Sequence, residues 1–171
     1  PIGPPPLREL VRPHDTVAIV FSDITRPQPR ERMLPVLLQE LAHVPRQQIV
    51  LINGLGSHRP STPAELVTML GPELAHGYRV VQHDAWDESN LVRVGQTSFG
   101  RAAYVNAEYM RACVKILTGF IEPHLFAGFS GGPKAVLPGV AGQPLILANH
   151  GAHMLGDPRA TWGVTEGNPV L

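Results

Sequence analysis

The segment Thr16-Val17-Ala18-Ile19-Val20-Phe21 is an unbroken run of β-branched and apolar side chains, and it limits the fold more than any other stretch. A strand with one wet face alternates apolar and polar residues. A strand without alternation must be covered on both faces, as in a parallel sheet flanked by helices. From Pro29 to Ala42 the side chains Met33, Leu34, Val36, Leu37, Leu38 and Leu41 recur at helical spacing, with Pro35 expected to weaken the first turn. The unit repeats. A strand is expected at Gln48 to Ile52, then a helix from about Thr62, capped by Ser61 or Thr62 with Pro63 in its first position, and stopped by Gly71-Pro72. Tyr78 to Gln82 reads as a third strand, and the region from Ala102 to Ile121 as a short strand, a helix and another strand. A short helical stretch near Leu7 to Val11 precedes them all. This alternation predicts an α/β domain, a Rossmann-like and mainly parallel sheet with flanking helices. In such sheets ligands bind beyond the carboxyl ends of the strands.

Charge and length exclude several classes. The chain has 171 residues, enough for one domain with its own core, and its 14 basic side chains balance 14 acidic ones. No electrostatic case for nucleic acid follows from that balance. The opening Pro1-Ile2-Gly3-Pro4-Pro5-Pro6 has no signal-peptide character, and no apolar run reaches the ~20 residues of a membrane span. A single cysteine, Cys113, rules out an internal disulfide and an all-cysteine zinc site, so a cytoplasmic location is expected. The chain starts without Met and stops at Gly167-Asn168-Pro169-Val170-Leu171 in structured-looking sequence. The expectation is therefore a truncated domain, residues 1–171 of something longer.

The residues that could do chemistry fall in the expected strand-end loops. Ser22-Asp23-Ile24-Thr25-Arg26-Pro27 offers hydroxyls, a carboxylate and a guanidinium at a strand-to-helix turn, which suits an anion; it suits equally a capped helix with an Asp23–Arg26 surface pair. Gly54-x-Gly56 lacks the third glycine of a dinucleotide fingerprint, so its glycines read as a sharp turn delivering His58 and Arg59. The densest stretch runs from Gly119 through Glu122-Pro123-His124 and Ser130-Gly131-Gly132-Pro133-Lys134 to Pro138-Gly139. Ser130 there could cap a helix that starts near Pro133, and a lysine in a partly apolar pocket is readily made nucleophilic. Of 8 histidines, His14, His43 and His76 read as surface or capping residues, whereas His58, His124 and His150 each end a strand-loop segment and could share a site. His150-x-x-His153 keeps a zinc-dependent hydrolase open, and the strand-end loops keep open a non-catalytic anion- or nucleotide-binding module.

Taken together, Ser22 to Pro27, Gly56-Ser57-His58-Arg59, His83-Asp84, the block from Pro123 to Lys134 with Leu137-Pro138-Gly139, and Asn149-His150 resemble the N-terminal domain of the nickel-pincer-dependent lactate racemases and their 2-hydroxyacid racemase and epimerase relatives. The likeness spans nearly the whole chain. It implies an isomerase whose cofactor is a nickel pyridinium-3-thioamide-5-thiocarboxylic acid mononucleotide, covalently linked through Lys134, with His150 as the protein ligand to nickel. It implies His58 and His124 as the acid/base pair. Asp23, Thr25, Arg26, Ser130, Gly131 and Gly132 would line the cofactor, with Arg26 also holding the substrate carboxylate. In that family a C-terminal domain completes the substrate cleft, so the isolated chain is expected to be inactive. An unprotected sheet edge is expected to favour self-association.

Overall fold

A computed structural model describes residues 3–171; Pro1 and Ile2 of the proline-rich lead lie outside the described residues. Its centre is a four-stranded parallel sheet built from β1 (Val17–Ser22), β2 (Ile49–Gly54), β3 (Arg79–Gln82) and β6 (Val114–Leu117), in the order β3-β2-β1-β6. The register sets Val17 beside Ile49 and Val114. The central strand is buried on both faces, as its unbroken apolar run requires. On one face Val17, Ile19 and Phe21 pack against Leu34 and Leu38 of α2 (Arg30–Glu40) and Met69, Leu70 and Leu74 of α3 (Pro63–Gly77). On the other, Ala18, Val20 and Ile52 meet Val105, Tyr109 and Val140. Each fully buried Val, Leu, Ile or Phe side chain contributes roughly 1.5–3 kcal/mol. The first helix, α1, is the single turn Leu7–Leu10.

Local sequence explains most element boundaries. Thr62 caps α3 through a reciprocal pair, its hydroxyl accepting from the Glu65 amide at 3.2 Å while the Glu65 carboxylate accepts from the Thr62 amide at 2.7 Å. Pro35 does not displace the start of α2: it lies on the exposed side of the helix, where water can satisfy the carbonyl it frees. Gly71-Pro72 kinks α3 instead of ending it. Gly71 leaves helical geometry at φ 75°, and Pro72 restarts the helix as far as Gly77.

The alternation of strand and helix is not continuous. Ala102–Asn106 (β5) stands outside the main sheet and pairs antiparallel with β4 (Leu91–Gln96), which periodicity missed because that strand is mostly exposed on both faces. After α4 (Ala107–Arg111) and β6 comes a tight hairpin of β7 (Pro123–His124) and β8 (Gly128–Phe129), then a 3-10 turn at Gly132–Ala135, α5 (Gln143–Asn149) and α6 (Ala152–Leu155). No helix among the described residues is long and apolar enough to cross a membrane.

Candidate active site

Strands β1, β2 and β6 end at Ser22, Gly54 and Leu117, and the loops leaving these ends enclose a cavity of about 380 Å³. Asp23 and Arg26 come from the first loop, His58 from the second, and His124, Ser130, Gly131 and Lys134 from the chain beyond the third; His150 closes the cavity from the end of α5. The glycines permit this closeness. A side chain on Gly54 would crowd Val20 and Gly139, and the Gly56 amide donates to the Gly139 carbonyl at 3.0 Å. The second loop thus lies directly on the segment that follows Lys134.

The two catalytic candidates are held in opposite tautomers. His58 Nδ1 donates to Asp23 Oδ2 at 2.5 Å, and Thr25 Oγ1 donates to Asp23 Oδ1 at 2.8 Å. The carboxylate, buried to 4% exposure, fixes the half-exposed ring and leaves Nε2 with a free lone pair. Asp23 therefore serves His58 and not the expected surface pair with Arg26, whose side chain is left to the cavity. At His124 the roles reverse. Nδ1 accepts from the Phe126 and Ala127 amides at 3.2 and 3.3 Å, so the neutral ring carries its proton on Nε2.

Burial and mutual repulsion shape the remaining groups. Desolvation, with Lys134, Arg26 and His150 nearby, lowers the His124 pKa to about 4. Desolvation and then Arg26 lower the Lys134 ammonium to about 8. His150 is shifted down by burial and by Lys134, against the opposing pull of the Ile146 carbonyl. Its Nδ1 donates to that carbonyl at 3.2 Å, which leaves a neutral Nε2 lone pair, the usual arrangement of a metal-binding imidazole.

Other expected residues do different work. Ser130 caps no helix: its hydroxyl donates to the Phe120 carbonyl at 2.6 Å and accepts from the Glu122 amide at 3.1 Å, tying down the hairpin, and the cap position falls to Gly131. Thr25 and Gly132 do not line the cavity; Thr25 acts on Asp23, and Gly132 is exposed. His153 lies on α6, across the break at Gly151 from His150, so the two do not share a helical face. Among the described residues no three His, Cys, Asp or Glu side chains gather to hold a metal. His83 is a core residue, with Nε2 donating to the Ala141 carbonyl at 2.9 Å and Nδ1 accepting from Asn106 at 3.2 Å. Sequence reasoning missed Arg30, whose buried guanidinium donates to the carbonyls of Ser22, Gln28, Asp23 and Arg26 and so holds the Asp23 loop in shape.

These shifts have a consequence for stability. His83, His124 and His150 all have folded-state pKa values below the unfolded value near 6.5. As pH falls below 6.5 the unfolded chain takes up protons that the folded chain refuses, so stability drops until His124 itself titrates near 4. Denaturant midpoints should be clearly lower at pH 5 than at pH 7.5. Equal midpoints would show that these imidazoles are not held neutral.

Fold and site define an α/β domain with a cationic, imidazole-rich cavity at its strand ends, suited to an anionic cofactor or substrate that meets an amine. Residues 1–163 match the lactate racemase N-terminal domain family, and the chain belongs to that family. It is 41% identical to the lactate racemase of Lactiplantibacillus plantarum and 36% identical to that of Thermoanaerobacterium thermosaccharolyticum, in each case over 99% of this chain. It spans 40% of the length of each of these relatives. The structure of the T. thermosaccharolyticum lactate racemase apoprotein superposes with a TM-score of 0.93, covering 99% of this chain and 41% of that one. A Thermotoga maritima protein at 23% identity shares the fold, with a TM-score of 0.77 over 96% of this chain and 43% of that one.

Proposed function

We propose that this chain is the cofactor-bearing domain of a cytoplasmic isomerase that racemises or epimerises a lactate-like 2-hydroxyacid, with a second domain of the full-length protein completing the cleft. The observation that supports this most is the meeting in one cavity of an amine lowered to about 8, an imidazole with a free Nε2, and two oppositely set histidines. These residues fit a nickel-pincer nucleotide. The Lys134 amine would carry it covalently, His150 Nε2 would offer nickel a nitrogen ligand, and Arg26 would face its anionic groups. When bound, the group supplies a reversible acceptor for the hydride on the substrate α-carbon.

The chain's own residues handle the proton and the orientation. Arg26 can grip the substrate carboxylate with its two-pronged guanidinium. His58 Nε2 takes the hydroxyl proton, and Asp23 stabilises the imidazolium that forms. His124 faces the same cavity with an Nε2–H that can hydrogen-bond the oxygen of the flat 2-keto acid. To act as a base towards the opposite hand, His124 must first give up its two backbone donors. Racemisation run in D2O tests the reading. Hydrogen that leaves and returns as hydride stays protium, so the product α-hydrogen should remain unexchanged by NMR. Deuterium at that carbon would mean direct proton abstraction and another mechanism.

A further inference from the structure

Three buried side-chain oxygens among the described residues lack a hydrogen-bond partner: Asn53 Oδ1, Asn149 Oδ1 and Gln143 Oε1. The first two amides are anchored through their nitrogens, Asn53 to Ser61 at 3.0 Å and Asn149 to the Val170 carbonyl at 3.1 Å. No such bond anchors Gln143, and of the three it alone lines the strand-end cavity. Its position is not free to relax. The Gln143 amide nitrogen of the backbone donates to the Ala85 carbonyl and the neighbouring Gly142 to Tyr104, each at 2.9 Å, while Leu145 and Ile146 bury the same helix. Only 7% of Gln143 is exposed, so its side chain is confined to the cavity wall.

An apolar residue would fill this place without the cost of an unpaired buried amide, which is substantial. The rest of the wall does not serve the amide: none of Arg26, Lys134 or His124 donates to its oxygen, and both oxygens of Asp23 are taken by His58 and Thr25. Half a turn about the last side-chain bond lets the amide show the cavity either its oxygen or its nitrogen.

We propose that Gln143 is a ligand-binding residue of this cavity, its amide hydrogen-bonding a hydroxyl or amide group of an anionic mononucleotide whose charge is met by Arg26 and Lys134. The proposal rests on the cavity being the cofactor pocket, and the test separates the two ideas. Binding of nicotinic acid mononucleotide and of inorganic phosphate to the full-length protein is measured by calorimetry, alongside the melting temperature, for wild type, Gln143→Met and Gln143→Glu. Gln143→Met should weaken the nucleotide about tenfold, leave phosphate unchanged and keep or raise the melting temperature, because it removes an unpaired polar group. Gln143→Glu keeps the shape, sets a carboxylate against the anion, and should weaken the nucleotide further. Unchanged nucleotide affinity in both variants overturns the role of Gln143 while the pocket reading stands. A lower melting temperature with both probes weakened makes Gln143 a structural residue and also overturns it. A wild-type chain that binds neither probe removes the pocket reading, and this inference with it.

Discussion

Replacing His58 with Ala in the full-length protein should lower kcat/KM for 2-hydroxyacid racemisation by about 10²–10⁴, the range of a positioned general base. Asp23→Asn should approach the same loss with the fold intact. An asparagine can donate its amide to Nδ1 and so move the imidazole proton to Nε2, removing the lone pair that faces the cavity. Thr25→Val, which removes only the hydroxyl that steadies Asp23, should cost far less. The two enantiomers of a racemase substrate have equal free energy, so kcat/KM must fall equally in both directions. The unequal setting of His58 and His124 can therefore appear only as a difference in kcat and KM taken separately. A full-length Asp23→Asn enzyme with wild-type kinetics would show that the carboxylate contact does not position the base.

Lys134→Ala should abolish racemisation altogether, because it removes the proposed attachment point. Lys134→Arg should not rescue it, since a guanidinium keeps the charge but is a poor nucleophile. The fold should tolerate the alanine change. Lys134 is an amine that burial and Arg26 already push towards neutrality, so removing its charge relieves repulsion on His124 and His150. Retained activity in the full-length Lys134→Ala protein, measured as conversion of either enantiomer, would remove lysine from the chemistry.

The parallel core was legible in the sequence because burial on both faces leaves an unbroken apolar run, and Val17 to Phe21 has one. The cap of α3 was legible because Thr62, Pro63 and Glu65 are neighbours in the chain. The ribbon of β4 and β5 was not, since an exposed strand carries no burial pattern. For the site, His58, His124, Lys134 and His150 could be gathered from their places at the ends of segments, and the structure does bring them to one cavity. Their tautomers could not be read, because those depend on contacts such as Asp23 with His58, 35 residues apart. His83 shows the converse: beside Asp84 at a strand end it has the pattern of a site residue, yet Asn106 and Ala141 hold it in the core. Arg30 and Gln143 gave no signal, as their work is set by loop carbonyls and a cavity wall that form only on folding.

The central claim is that Lys134 bears a nickel-containing nucleotide. The direct measurement is the intact mass and nickel content of the full-length protein, produced with and without the enzymes that build the pincer cofactor, followed by peptide mapping. A mass increase on the peptide containing Lys134, accompanied by nickel and present only when those enzymes are supplied, is the expected result. An unmodified, nickel-free protein that racemises 2-hydroxyacids under both conditions would contradict the claim.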